Sequence, residues 1–243
     1  MHCPRCLSSK VKKNGLTHYG KQNHKCNSCG RQFVADSTHL IQDSTRRLIN
    51  NALLERVSLR GICRIFGVSL TWLLAYATHV WESTPADLGA QPVESLQQED
   101  EMQLQCTGIQ LDELWSFVGR KRCKAWIWIA YEPINKQVVA VVIGKRDEQT
   151  FNQLWESIPS AWRKFCPFDT DDYAVYAKYI PEQHHYVGKQ ITYWIEAFNG
   201  RIRSRVSRLV RKGRSFSKTW QNHVAVIRYF CWQSNLEYAA LHL

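Results

Sequence analysis

The sequence predicts an α/β protein that carries two small modules ahead of its largest domain. Three observations lead to this fold class. Two Cys-x-x-Cys pairs lie near the N-terminus, capped segments with helical periodicity follow them, and strand and helix patterns alternate from Ile109 onward. We divide the chain into modules at residues 1–35 and 43–82, a polar linker at 83–106 and a domain at 107–243.

The composition narrows the class of partner. The 243 residues carry a formal net charge of +11, and such a surface attracts polyanions over long range. The sequence contains no run of about 20 apolar residues, so no membrane-spanning helix is predicted. The first residues lack the apolar segment of a secretory signal, so we expect a protein that is not secreted.

The cysteine pairs Cys3–Cys6 and Cys26–Cys29 predict a zinc ribbon. Positions 7 to 25, nineteen residues, separate the pairs, which suits a β-hairpin and brings four thiolates to one tetrahedral Zn²⁺. The alternative, a redox dithiol or a disulfide, lacks the βαβ context of such motifs. A segment this short buries too little surface to fold alone, so zinc is expected to be structural.

Residues 43–82 predict a helix-turn-helix. Ser44, Ser58 and Ser69 are candidate helix caps, and Gly67 supplies the turn between the last two helices. The helix after Ser69, which would be the recognition helix, opens with Leu70–Trp72 rather than with base-reading Arg, Asn or Gln. This leaves a three-helix packing unit as an alternative. On the first interpretation, five arginines are expected to bind DNA phosphates: Arg46, Arg47, Arg56, Arg60 and Arg64.

The largest domain predicts strands at 109–118, 125–131 and 137–143. The elements expected after them are a helix near 149–157, a strand ending near Phe168, a helix at 174–179, a strand at 185–187 and a basic helix from Thr192. Three antiparallel strands followed by alternating helices and strands are typical of a ribonuclease-H-like domain. In that topology the first strand is central and the fourth lies beside it.

Three carboxylates become candidate metal ligands in this topology. Asp112 lies on the first strand, Asp171 just past the fourth, and Glu196 on the basic helix. Two Mg²⁺ ions about 4 Å apart require shared carboxylate oxygens. Taken singly, each acid also fits a solvated turn or a neutralised surface charge. Asp112 fits that alternative least, because it interrupts an apolar strand.

Four motifs resemble the transposase family of the insertion sequence named "one". They are Leu111-Asp112-Glu113-Leu114-Trp115, Thr170-Asp171-Asp172-Tyr173 with Tyr176, Ile195-Glu196-Ala197-Phe198-Asn199, and the segment from Arg211 to Lys218. Twenty-four residues separate Asp171 from Glu196, which resembles the compact spacing of this family. The order of zinc finger, helix-turn-helix and catalytic domain also matches, so the likeness covers nearly the whole chain.

The resemblance implies an Asp-Asp-Glu transposase that binds terminal inverted repeats and cleaves and transfers DNA strands with Mg²⁺ or Mn²⁺. Asp112, Asp171 and Glu196 are then both the catalytic residues and the metal ligands. The second motif reads Thr-Asp-Asp-Tyr where the family often has Thr-Asp-Gly-Trp, so Asp169 and Asp172 are rival ligands. Two DNA ends must be handled together, so a homodimer or a higher oligomer is expected.

The basic segments around Glu196 are expected to contact double-stranded DNA, both the transposon ends and the target. The residues assigned to these contacts are Lys189, Asn199, Arg201, Arg203, Arg205, Arg208, Arg211 and Lys212. We expect a cytoplasmic, nucleoid-associated bacterial protein with no membrane partner. Two other functions stay open: a zinc-ribbon/helix-turn-helix regulator, and a ribonuclease-H-like nuclease or resolvase that cuts without joining strands.

Overall fold

The computed structural model describes residues 1–35, 41–90, 108–188, 191–209 and 215–240. The chain separates into two compact units, Met1–Arg47 and Leu48–Leu243. The finer division into four parts stays a prediction.

The first unit carries a three-stranded antiparallel sheet in the order β1-β2-β3. Its strands are β1 (Val11–Leu16), β2 (Gln22–Cys26) and β3 (Gln32–Val34). Gly30 adopts a left-handed φ of 72°, and its N–H donates to the Cys26 carbonyl at 3.0 Å. This turn leads the second cysteine pair directly into β3, an arrangement compatible with a zinc ribbon.

Three helices follow: α1 (Asp43–Leu53), α2 (Leu59–Phe66) and α3 (Leu70–Glu82). Ser58 Oγ accepts from Gly61 N–H at 3.1 Å, and Ser69 Oγ accepts from a backbone N–H of α3 at 3.2 Å. Gly67 lies between α2 and α3 with φ 64°. The expected cap at Ser44 is wrong, because α1 already begins at Asp43 and Ser44 therefore lies inside the helix.

In the described part of the chain, no single helix is long and apolar enough to cross a membrane. Helices α2 and α3 taken together have the length and the apolar composition of a membrane span, and the chain bends by 112° at the break between them.

Helix α3 and Leu54, the residue that follows α1, share a hydrophobic core with the α/β part of the second unit. Leu54, Ala77 and Trp81 belong to the same cluster of buried side chains as Ile127 of the sheet and Ile227. The helical segment therefore packs as part of a larger body.

The second unit contains a five-stranded sheet in the order β6-β5-β4-β7-β8. Its strands are β4 (Ile109–Phe117), β5 (Lys124–Glu132), β6 (Gln137–Gly144), β7 (Phe168–Thr170) and β8 (His185–Val187). Strands β4, β5 and β6 are antiparallel, whereas β7 runs parallel to both β4 and β8. Strand β4 is therefore central with β7 beside it, as the predicted order requires.

Helices cover both faces of this sheet: α4 (Glu148–Ser157), α5 (Ser160–Phe165), α6 (Tyr193–Arg205) and α7 (Trp220–Ala239). On one face Trp128 packs with Phe151 of α4, and on the other Tyr131 packs with Phe198 of α6 and Phe230 of α7. The result is a mixed α/β fold.

Four elements differ from the prediction, and one of them is the short helix α5 (Ser160–Phe165), which has no predicted counterpart. Residues 174–179 form only a 3-10 turn at Tyr176–Lys178, held by i→i+3 bonds rather than by helical ones. The basic helix α6 ends at Arg205, because the Arg205 carbonyl accepts from the Arg56 N–H instead of from a further helical turn. The 20-residue helix α7 has no counterpart among the predicted elements.

A buried polar bridge joins α7 to the central strand. The His223 ring is fully buried, with Nε2 2.9 Å from Ser116 Oγ and Nδ1 2.9 Å from Ser217 Oγ. Burial, and secondarily the charge of Arg208, lowers the pKa of His223 to about 4. A neutral imidazole therefore links the two hydroxyls at neutral pH.

Candidate active site

The four N-terminal cysteines form a compact cluster of sulfur atoms. Sγ of Cys3 lies 3.6 Å from Sγ of Cys29, the Cys6–Cys26 separation is also 3.6 Å, and all four sulfurs lie within 4.8 Å of one another. A tetrahedral zinc ion with Zn–S bonds of about 2.3 Å requires sulfurs roughly 3.8 Å apart. The N–H groups of Cys29 and Ser28 lower the pKa of Cys26 to about 6, which favours the thiolate. The cluster can therefore bind a metal such as zinc.

Asp112 projects from central strand β4, between the buried side chains of Leu111 and Leu114 along the chain. Its Oδ1 accepts from the Glu113 N–H at 2.8 Å, and its Oδ2 accepts from Asn199 Nδ2 at 2.6 Å. Burial raises the pKa of Asp112 to about 6, and the charges of Glu113 and Asp171 add to the effect. Ionising this carboxyl is unfavourable unless a cation compensates it.

Asp171 follows directly on Thr170, the last residue of β7. Gln110 pairs with Asp169 in the parallel register of β4 and β7. Asp171 lies two residues beyond that pair, and its charge acts on the Asp112 carboxyl, so the two acids lie near one another. The Tyr173 N–H donates to Asp171 Oδ1 at 3.1 Å, which fixes the carboxylate at the turn.

The two rival aspartates have different surroundings. Asp169 lies within β7 and approaches Gly108 closely. A Cβ atom added to Gly108 would lie only 2.6 Å from Asp169 Oδ1. Burial raises the pKa of Asp169 to about 6, and a hydrogen bond with Gln110 opposes that shift. Asp172 is exposed.

Helix α6 is fastened to β4 by two side-chain contacts. The Ile195 N–H donates to Gln110 Oε1 at 2.8 Å, and one turn further on Asn199 donates to Asp112. Glu196 occupies the first turn and is exposed, with Thr192 Oγ1 3.5 Å from its Oε1. Asn199 is 5% exposed, and its buried Oδ1 has no hydrogen-bond partner among the described residues.

The three carboxylates are not gathered as tightly as the cysteines. Of the His, Cys, Asp and Glu side chains in the described ranges, only the cysteine cluster brings three or more ligand atoms within 4.8 Å of one another. Asp112 and Asp171 interact electrostatically, whereas Glu196 lies one helical turn before the Asn199 contact.

Glu113, the neighbour of Asp112, has a role that no sequence pattern predicted. Its side chain is only 3% exposed, and it accepts from Tyr176 Oη at 2.8 Å and from Arg146 Nε at 2.6 Å. Burial raises the pKa of Glu113, while these two bonds oppose the shift. The only signal in the sequence was an acid next to Asp112 in a predicted strand. The partners of Glu113, Arg146 and Tyr176, lie 33 and 63 residues further along the chain, so the contacts could not be predicted from the local sequence.

Two arginines predicted to bind DNA are engaged inside the second unit. Arg201 donates to Ser234 and to Tyr238, both on α7. Arg205 forms two hydrogen bonds of 2.9 Å with Glu237, also on α7. These contacts hold α6 against α7, and a role of the two side chains in DNA binding stays a prediction.

The other predicted DNA contacts fall into three groups. Arg208 is largely buried, with its guanidinium 4.9 Å from the centre of the Trp81 ring, and Arg203 is half-buried. Arg60 and Arg64 are exposed on α2. The remaining predicted contacts lie outside the described residues: Lys189, Arg211 and Lys212.

Comparison with known proteins identifies the class. The sequence model of the IS1 transposase family matches residues 104–236. The insertion element iso-IS1n protein InsB of Shigella dysenteriae is 35% identical over 126 residues, which cover 50% of this chain and 91% of that protein. The insertion element IS1 4 protein InsB of Escherichia coli (strain K12) is 33% identical over 126 residues, covering 50% of this chain and 71% of that protein.

The family match and these relatives, which cover half of the chain, identify it as a transposase, an enzyme class that binds DNA and cleaves and transfers its strands. The chain belongs to the IS1 transposase family. The matched region contains Asp112, Asp171 and Glu196, and it leaves out the cysteine cluster and the three N-terminal helices.

Proposed function

We propose that this transposase is of the Asp-Asp-Glu type, with Asp112, Asp171 and Glu196 holding Mg²⁺ or Mn²⁺ for DNA strand cleavage and transfer. One observation carries the proposal: two distant segments converge on Asp112. Asp171 acts on its carboxyl electrostatically, and Asn199 of α6 hydrogen bonds to it. The strand order with β4 at the centre supports a ribonuclease-H-like interpretation of this domain.

The chemistry of the donor set fits Mg²⁺, because hard divalent cations prefer carboxylate oxygens. The raised pKa of Asp112 supports this fit, since a nearby cation relieves the unfavourable charge. The unpartnered Oδ1 of Asn199 is a further acceptor beside the acids. When bound, Mg²⁺ stabilises the attacking and leaving oxygens of an in-line displacement at phosphorus.

The side chains around the acids have distinct tasks in this proposal. Asp112 is held on the central strand, and Asn199 fixes the direction of its Oδ2. The Gln110–Ile195 bond anchors the start of α6, so that the exposed carboxylate of Glu196 is free to turn toward the other two acids on a fixed helix. One acid thus completes a ligand set whose other members are already oriented.

We propose that double-stranded DNA, both transposon ends and target, is the partner. The zinc ribbon, with zinc in a structural role, and the helix-turn-helix hold the terminal inverted repeats, and exposed Arg60 and Arg64 contact phosphates. Joining requires two ends at once, so the active form is at least a homodimer. Further DNA contacts are proposed for Lys189, Asn199, Arg203, Arg211 and Lys212. Arg201, Arg205 and Arg208 contribute positive potential while they hold α6 in place.

The test is a strand-transfer assay with Mg²⁺ and donor DNA that ends in a 3′-OH. Asp112→Ala is expected to lower the rate of joining roughly 1,000-fold, about 4 kcal/mol of transition-state stabilisation, without loss of DNA retention in a gel. Glu182→Ala, which removes an exposed acid that is not a candidate ligand, is the control and is expected to stay active. Full activity of the Asp112 variant contradicts the proposal. Cutting without joining by the unaltered protein indicates a nuclease or resolvase, and binding without metal-dependent chemistry indicates a regulator.

A further inference from the structure

We propose that Glu113 and Arg146 are positioning residues that lock the turn carrying Asp171 against the strand carrying Asp112. We call residues 171–176 the Asp171 turn. This inference rests on the proposed function, because it concerns the relative placement of two of the proposed ligands. It goes beyond that function in assigning a role to an ion pair on the opposite face of β4, in which the Glu113 carboxylate is buried and the Arg146 side chain is 40% exposed.

Glu113 is the fixed end of this lock. It neighbours Asp112 on β4, so the two side chains point to opposite faces of the sheet. Nε and Nη2 of Arg146 both bond Glu113 Oε1, with Nε at 2.6 Å, and Tyr176 Oη donates to Oε2 at 2.8 Å. Both carboxylate oxygens are therefore committed, and any shift of Glu113 also shifts the strand that holds Asp112.

Arg146 connects Glu113 to the Asp171 turn. Its guanidinium lies 4.2 Å from the centre of the Tyr173 ring and 5.2 Å from that of the Trp126 ring. Tyr173 is also the residue whose N–H donates to Asp171 Oδ1 at 3.1 Å. Tyr173 thus contacts the Arg146 guanidinium through its side chain and Asp171, a proposed metal ligand, through its backbone N–H.

Tyr176 holds the far end of the same turn. Its ring is fully buried and packs edge-on against Trp128 and Phe151, while its hydroxyl bonds Glu113. The Asp171 turn is therefore tied to Glu113 at two points, through Tyr173 by way of Arg146 and through Tyr176 directly. Two ties at opposite ends fix both the distance and the tilt of the turn.

Stability alone gives little reason to keep such a pair. Removing the Glu113 carboxylate from water costs several kcal/mol, and an ion pair with a partly exposed guanidinium returns only about 1 kcal/mol or less. A charged pair with a planar, stacked guanidinium instead specifies one geometry. Near a reacting centre that geometry matters, because a misplacement of about 1 Å lowers a rate on the order of 100-fold.

The chain contains a matched control for Arg146. Arg163 also forms an ion pair, with Glu156 at 2.9 Å, and its guanidinium also lies over a tryptophan, 5.8 Å from the centre of the Trp155 ring. None of these partners touches the Asp171 turn through a contact described for this protein. Arg163→Ala therefore removes the same kinds of interaction without touching the lock.

The experiment compares Arg146→Ala with Arg163→Ala in the full chain. DNA retention in a gel checks binding, and two readouts are compared: the rate of strand joining at saturating DNA and Mg²⁺, and amide hydrogen exchange of residues 169–178 in Mg²⁺-free buffer. We expect Arg146→Ala to lower the rate about 100-fold, to speed exchange in that segment and to leave DNA retention unchanged. Arg163→Ala is expected to alter neither readout.

Equal behaviour of the two variants overturns the inference, as does a loss of DNA retention by Arg146→Ala that accounts for its loss of rate, since the guanidinium would then be a phosphate contact. If Arg146→Ala fails to fold, Tyr173→Phe and Tyr173→Leu replace it. The phenylalanine keeps the stacked ring and the rate, the leucine loses both, and equal rates for the two overturn the inference. Asp112→Ala separates the hypotheses: its full activity refutes the proposed function, whereas an inactive Asp112 variant beside a fully active Arg146 variant refutes only the lock.

Discussion

The two candidate metal sites of this protein are built in opposite ways. The cysteine site takes its ligands from two short local motifs and brings all four sulfurs within 4.8 Å of one another in a unit of 47 residues. The carboxylate site takes Asp112, Asp171 and Glu196 from three elements of a large α/β unit, and their oxygens are not gathered to that distance. The first site thus has a complete ligand cluster, and the second has a scaffold with a ligand set still open.

The difference concerns what holds each site together. In the first unit Cys3 and Cys26, two of the ligands themselves, are fully buried core residues. In the second unit, sheet and helices bury two clusters of large side chains, and the acids lie at the border of this core. We infer that a metal contributes most of the folding energy of the first unit and only a small part of that of the second.

The largest expected effect is the loss of the first unit when its metal is removed. Chelation of zinc, or Cys26→Ser, is expected to abolish amide protection in residues 1–35, because structural zinc supplies about 10–16 kcal/mol. Protection in the second unit is expected to remain. Segment-resolved hydrogen exchange measures both. Cys123→Ser, at an exposed cysteine outside the cluster, is the control, and persistent protection of residues 1–35 without zinc would refute the comparison.

The same contrast explains what the sequence could predict. The cysteine cluster was predictable because the spacing within each Cys-x-x-Cys pair sets the geometry locally. The face shared by Glu196 and Asn199 was predictable because helical periodicity is equally local. The contact of Asn199 with Asp112 depends instead on how α6 crosses β4, which tertiary packing decides. The comparisons confirm the family, whereas the three proposed ligands stay predictions.

The elements that were missed depend on packing in the same way. Helix α7 is rich in Tyr, Phe, Trp and Val, whose intrinsic preference is for strands, and burial against the sheet overrides that preference. Glu113 was read only as part of a strand motif, since its partners Arg146 and Tyr176 arrive through the fold. Arg201 and Arg205 were read as a basic stripe, and their bonds to α7 depend on a helix that was not predicted.

The second prediction is a stability gain at the carboxylate site in Mg²⁺-free buffer. The pKa of Asp112 is raised from 3.8 to about 6, so the folded state favours the proton and the free energy of unfolding falls as pH rises between about 4 and 6. Asp112→Asn carries no charge, so it is expected to exceed the wild type by up to about 3 kcal/mol at pH 7.5 and to match it below pH 4. Urea unfolding of the second unit at both pH values checks this.

Asp147→Asn is the control for that measurement. Hydrogen bonds from the Thr150 side chain and N–H lower the pKa of Asp147, so its charged form is favoured by folding and its neutralisation gives no gain. An Asp112→Asn protein that is less stable than the wild type at pH 7.5 would show that the site tolerates its charge without a cation.

The smallest expected effect is the stabilisation of the second unit by Mg²⁺. A ligand that binds only the folded state at ten times its dissociation constant adds about 1.4 kcal/mol to the free energy of unfolding. The wild type is expected to gain this amount in zinc-replete buffer, and Asp112→Asn is expected to gain none, because it lacks the charge that the cation offsets. Thermal unfolding of both proteins across a Mg²⁺ titration measures the difference. An equal gain in the two proteins would show that Mg²⁺ binds away from Asp112. A gain as large as that from zinc would contradict the comparison, because folding of the second unit would then also depend on its metal.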